Sequence, residues 1–230
     1  MGIWIRRGLW ALPLYGVLTL FGTWTHQPDP TADFQGYAEY ITTDIFLVNH
    51  LVGSIFGAAV GVLGMVALAA HLAGTRHAGR SAVALVLSTI GLVMIASVFG
   101  AAAFAQPAIG EAQLAGQADA EAFNDAVYGT PLVATAAIGT LLYASGSIVF
   151  GTALWRTEIF PRWTGVLLGA SGPLIALFGL FIGQAQTVGA VLLVLAGVAI
   201  ARAPMGSLSC KSAGTPRPKE NLRQNRLSSL

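Results

Sequence analysis

Six apolar runs, separated by segments that carry basic residues only alternately, set the limits on what this chain can fold into. The runs cover residues 9–24, 45–73, 81–106, 130–155, 165–183 and 187–201. A membrane-spanning helix takes about 20 apolar residues. In lipid each backbone amide must find its partner within its own segment or a closed barrel. The runs therefore predict an all-α polytopic membrane protein, a bundle of six transmembrane helices over residues 1–203. The sixth run is short and joins the fifth through Gln184-Ala185-Gln186, read as a tight turn. Fusing the two would leave five spans and carry the basic tail to the opposite face.

Charge sets the orientation. Arg6 and Arg7 precede the first run, Arg76 and Arg80 follow the second, and Arg156 and Arg162 follow the fourth. Arg202, Lys211, Arg217, Lys219, Arg223 and Arg226 follow the last. Every basic residue thus falls on one side, which by the positive-inside rule is the cytoplasm, with both termini there. The other side holds eight acids: Asp29, Asp33, Glu39, Asp44, Glu111, Asp119, Glu121 and Asp125. The net charge of +2 hides this dipole. It argues for a cell (inner) membrane and against nucleic acid as a partner. Only 10% of residues are charged and mean hydropathy is +0.70, against about 25% charged for a soluble domain.

The first run reads as an uncleaved signal anchor, since no small-x-small site precedes Trp24-Thr25-His26. Trp4, Trp10, Trp155 and Trp163 mark the inner interface, and Trp24, Tyr37, Tyr40 and Tyr128 the outer one. The segment 107–129 is expected as a helix on the membrane surface. Residues 204–230, with the single cysteine Cys210, are expected to be a disordered basic tail. An offset of about 80 residues aligns Asp44 with Asp125, Arg76 with Arg156 and Gly100 with Gly183. It would make runs two and three a copy of runs four and five, as in carriers built from repeats.

Two glycine faces stand out. At 100° per residue, His50, Gly53, Gly57, Gly61, Gly64, Leu68 and His71 project from one side of run two. Gly165, Gly169, Gly172, Ala176, Gly179 and Gly183 share a face of run five. Small residues at this spacing let backbones approach closely in lipid, where dispersion drives association. Both faces are read as helix packing, which puts runs two and five at the centre.

Polar residues inside a span are costly and point to function. Asn49 and His50 lie about one turn inside the outer interface, with Asp44 nearby in sequence. They are the candidate substrate or ion path. The bland alternative for His50 is a hydrogen bond to a neighbouring carbonyl. His71 lies about 31 Å further along the same helix, so the two cannot share one metal. No metal site, cofactor or catalytic residue is assigned. Ser88, Ser145 and Ser147 are expected to bond back to their own helices.

The inner loop reads Pro161-Arg162-Trp163-Thr164-Gly165. It resembles the Pro-Arg-Trp-x-Gly loop of a group of uncharacterised bacterial six-helix membrane proteins, a domain of unknown function. The resemblance implies a bacterial cell membrane and transfers no activity. The leading expectation is a non-catalytic integral membrane protein acting through helix packing, with the lipid bilayer, a second copy or another membrane protein as partner. The alternative is a small-solute or cation transporter or channel with Asn49 and His50 at its outer mouth. A third reading, an intramembrane enzyme or cofactor-binding protein, rests on His50, His71 and the outer acids.

Overall fold

The structure, a computed structural model, describes residues 2–23, 27–157 and 159–203. Trp24, His26, the tail 204–230 and Cys210 lie outside the described residues, and so do the readings placed on them. The described residues are helical, with no strand among them. The order is α1 (Ile3–Gly8), α2 (Ala11–Gly22), α3 (Phe34–Ile41), α4 (Asp44–Val48) and a π-helical segment, π1 (Asn49–Phe56). There follow α5 (Gly57–Leu72), α6 (Ala78–Leu114), α7 (Ala120–Val127), α8 (Thr130–Trp155) and α9 (Arg162–Gly172). A second π segment, π2 (Pro173–Leu177), leads through a 3₁₀ turn into α10 (Gly183–Arg202).

Four of these helices are long and apolar enough to cross a membrane: Asp44–Leu72, Ala78–Leu114, Thr130–Trp155 and Gly183–Arg202. Their surfaces are inverted relative to a soluble bundle. Val83, Val86, Ile90 and Val93 form an exposed apolar stripe on α6. Small and polar residues, among them Ser81, Ser88 and Gly91, are buried beneath it. Such a stripe is stable against lipid and not against water.

Local chemistry sets the boundaries. Asp33 caps α3 by accepting from the Gly36 amide at 2.8 Å, and Thr43 caps α4 by accepting from Phe46. Pro161 precedes the first residue of α9, and Pro131 sits in the first turn of α8, where a missing N–H costs nothing. Pro173 opens π2 in mid-run. Its missing donor and its ring against the preceding turn push the helix out of α geometry.

The helices pack antiparallel along glycine seams. Gly53, Gly57, Gly61 and Gly64 meet Gly22, Leu18, Tyr15 and Leu12 of α2 in reverse order. A methyl on Gly53 would stand 2.7 Å from the Gly22 Cα, so the backbones approach as closely as they can. Gly165 and Gly169 meet Gly151 of α8, and Gly172 meets Ser147. Gly179 faces Gln186, while Gly183, at the start of α10, has no neighbour there. Gly91 and Gly139 join α6 to α8, and Gly16 and Gly197 join α2 to α10.

Two expectations need correction. The segment after Gln106 is not a separate surface helix, because α6 runs through Pro107 to Leu114 and only α7 follows as a short helix. At about 1.5 Å per residue α6 is about 55 Å long, well beyond a 30 Å hydrocarbon core. The second correction concerns the aromatic belt. The tryptophans at the basic end are exposed, but Tyr37 is buried, because α3 folds onto the projecting end of α6. There the Gln106 amide donates to the Tyr37 hydroxyl, which donates to Asn124 at 3.3 Å. Burial pushes the Tyr37 phenol up to about 12, with the Gln106 contact opposing in part. Tyr128 is raised too, by burial first and by neighbouring Tyr37 second. Within the spans aligned by the 80-residue offset, π1 interrupts run two where α8 is α-helical throughout.

Candidate functional site: a cavity walled by two π segments

A cavity of about 330 Å³ opens inside the bundle. Its lining runs from Ala58, Leu92 and Tyr143 in mid-bundle to Gln27, Tyr40 and Gln186 at the acidic end. Both π segments contribute to its wall, π1 through Asn49, His50 and Ser54, π2 through Ile175 and Ala176. A π turn is rare, and it occurs mostly at functional sites. Here two of them border one space.

His50 is the best-defined polar group in the wall. Its Nδ1 lies 2.9 Å from the Phe46 carbonyl, so Nδ1 carries the proton and donates. The neutral ring then keeps Nε2 as a bare acceptor. Phe46 at 4.1 Å and Phe99 at 5.8 Å between ring centroids hold the imidazole in place. The carbonyl bond weighed as a bland alternative is therefore present. It also orients the ring and leaves the second nitrogen available.

Part of the remaining polar wall comes from residues the sequence reading passed over. Thr19 donates to its own helix at Tyr15, leaving its oxygen lone pairs. Thr140 and Tyr143 sit one turn apart on α8 and both line the space. Tyr143 packs edge-on against Tyr15, 6.3 Å between ring centroids, and its hydroxyl is shut within the wall. A tyrosine in the middle of an apolar run was the signal that could have found this wall. Ser147 does bond back to Ala144 at 2.8 Å, while the Ser88 hydroxyl is buried and unpartnered outside the cavity.

Among the described residues, no carboxylate, lysine or arginine lines the cavity. Asp44 does not reach it and stays exposed in the first turn of α4, where the helix N-terminus favours an acid. Asp29 is held locally by Thr31, whose hydroxyl and amide both donate to it and lower its carboxyl pKa. Asp33 serves as a cap. The acids of this end do not converge on the cavity mouth. His71 packs on Phe160 at the basic end, 5.4 Å between centroids, far from His50. Among the described residues no three His, Cys, Asp or Glu side chains converge to hold a metal ion.

Compared with known protein families, curated proteins and solved structures, the chain finds no match.

Proposed function

We propose that this chain is a small-solute transporter of a bacterial inner membrane. It takes a neutral, partly polar molecule into the cavity from its acidic, outer side. The observation that carries the reading is the cavity itself: uncharged, polar on several walls, and bounded by two π-helical breaks. Its volume falls at the lower end of the range for ligand pockets, about 300–1,000 Å³. A cation would find no compensating carboxylate there, so the solute is uncharged. His50 Nε2 accepts a hydrogen bond from it. Broken helices at a mid-membrane site are the usual architecture of secondary carriers.

The proposal includes six crossings with both termini in the cytoplasm. Beyond the four long helices, the stretch from α1 through α2 and the stretch from α9 through the 3₁₀ turn each cover about 30 Å. Each packs antiparallel on a long helix. The competing reading is action through helix packing and interaction with a partner or lipid; within the bundle the run-two glycine face packs on α2 of the same chain.

The test is recovery of the solute. The protein is purified in mild detergent, and the small molecules it releases are identified by mass spectrometry. An uncharged molecule retained by the wild type and lost from the N49A/H50A variant, with unfolding midpoint unchanged, is the expected result. The same complement of molecules on both proteins would remove the cavity as the site.

A further inference from the structure

The basic end carries a second concavity that the transport reading does not use. It is an open bowl of about 870 Å³ between Arg76 and His77 on one side and Arg156, Thr157, Phe160 and Pro161 on the other. Arg76, Arg156 and Arg162 line it, together with His77, and no acid is among its described lining residues. The two loops are tied together. His77 is buried with Nε2 3.1 Å from the Arg156 carbonyl, and Arg76 Nη2 donates to the same oxygen at 3.5 Å. The three arginines therefore border one bowl.

A groove of about 380 Å³ adjoins the bowl and shares Trp155 and Arg156 with it. It follows the seam of α8 and α9 into the apolar runs. Gly151, Gly165 and Gly169 line it along the seam, with Ile148 and Val166 beside them. The glycines that bring the two backbones together also leave this channel open. Trp155 and Trp163 are about half exposed, as expected of residues at the level of lipid headgroups.

We propose that bowl and groove form one site for an anionic phospholipid. The headgroup phosphate lies against Arg156 and Arg162, with Arg76 adding charge, and one acyl chain lies in the groove. Basic pockets between helices at the cytoplasmic face suit such headgroups. A free phosphate would use the bowl alone. The continuity with an apolar groove assigns the phosphate to a lipid. The site is independent of the solute cavity and stands or falls separately.

Native mass spectrometry tests it, on the full chain exchanged into micelles holding equal phosphatidylglycerol and phosphatidylcholine. One retained phosphatidylglycerol, enriched over phosphatidylcholine and not displaced by inorganic phosphate, is expected. R156Q and R162Q should each lower the enrichment about fivefold, and R156K/R162K should restore it. V166W, which fills the groove and leaves every charge, should lower retention as well. Equal retention of the two lipids would overturn the proposal. So would displacement by inorganic phosphate with V166W behaving as wild type, which would point to a soluble phosphate.

Discussion

The seam between α8 and α9 and the cavity bordered by π1 and π2 are built from similar small and polar residues, with opposite results. In the seam the helices are regular, and a methyl on Gly151 would lie 2.7 Å from the Gly169 Cα. The hydroxyls of Ser147, Thr164 and Ser171 return to carbonyls of their own helices within 2.8 Å. Nothing polar is left over. Around the cavity the helices depart from α geometry, and His50 Nε2 remains unspent. Small residues bring the α8 and α9 backbones together beneath an open surface groove, while π1 and π2 border a cavity inside the bundle. A polar side chain within a span is silent only when its own helix satisfies it.

The largest expected effect tests the seam. Gly151→Val should lower stability by about 1–3 kcal/mol, because the added carbons overlap backbone that cannot yield. Gly169→Ala in the same seam should be nearly neutral or stabilising, since its methyl meets nothing closer than 3.5 Å and alanine favours the helix. Denaturation in detergent measures both, and equal losses would mean the seam is not as close as described.

Next comes the imidazole acceptor of the cavity. His50→Ala should weaken solute retention about tenfold by removing Nε2. Ser147→Ala in the seam should leave retention unchanged. A His50→Ala variant that binds as wild type would remove the imidazole from the site. A smaller effect is expected of Pro173→Ala, which restores the missing donor at π2. Amide exchange over 169–177 should slow severalfold as the segment relaxes toward an α-helix, and retention should fall with it. Unchanged exchange would mean that proline does not cause the π segment.

The smallest effect lies at the acidic end, outside the spans. Tyr37 is pushed from about 10 to about 12, which means the folded state favours the neutral phenol. Its contribution to stability is therefore complete below about pH 10 and is lost as pH rises through about 12. Tyr37→Phe should flatten that alkaline loss in an unfolding series. An unchanged slope would show that Tyr37 is not shielded by α6.

The bundle was legible because lipid imposes it: apolar length and basic-residue placement leave few alternatives to helices. Asn49 and His50 were legible as well, as polar groups inside a span. The rest of the cavity was not. Thr19 and Thr140 look unexceptional one at a time, and only the tertiary fold brings them to the same cavity as Tyr143. The 100° spacing applied to run two assumed an α-helix throughout, and π1 breaks that phase between Asn49 and Phe56. Asp44 was grouped with His50 by proximity in sequence, yet it sits in the exposed first turn of α4, outside the lining. The surface-helix reading failed because amphipathic composition after Pro107 does not reveal that α6 continues and receives α3 on its side.

The most direct test of the central claim is thiol accessibility in sealed vesicles. Ser54→Cys places a thiol in the cavity wall, in a background where Cys210 is replaced by serine. Leu63→Cys, exposed on the bundle exterior, is the control. A charged, membrane-impermeant reagent added outside should label Ser54→Cys and not Leu63→Cys, and the retained solute should protect the former. Labelling from the cytoplasmic side alone, or none from either side, would contradict an outward-opening cavity.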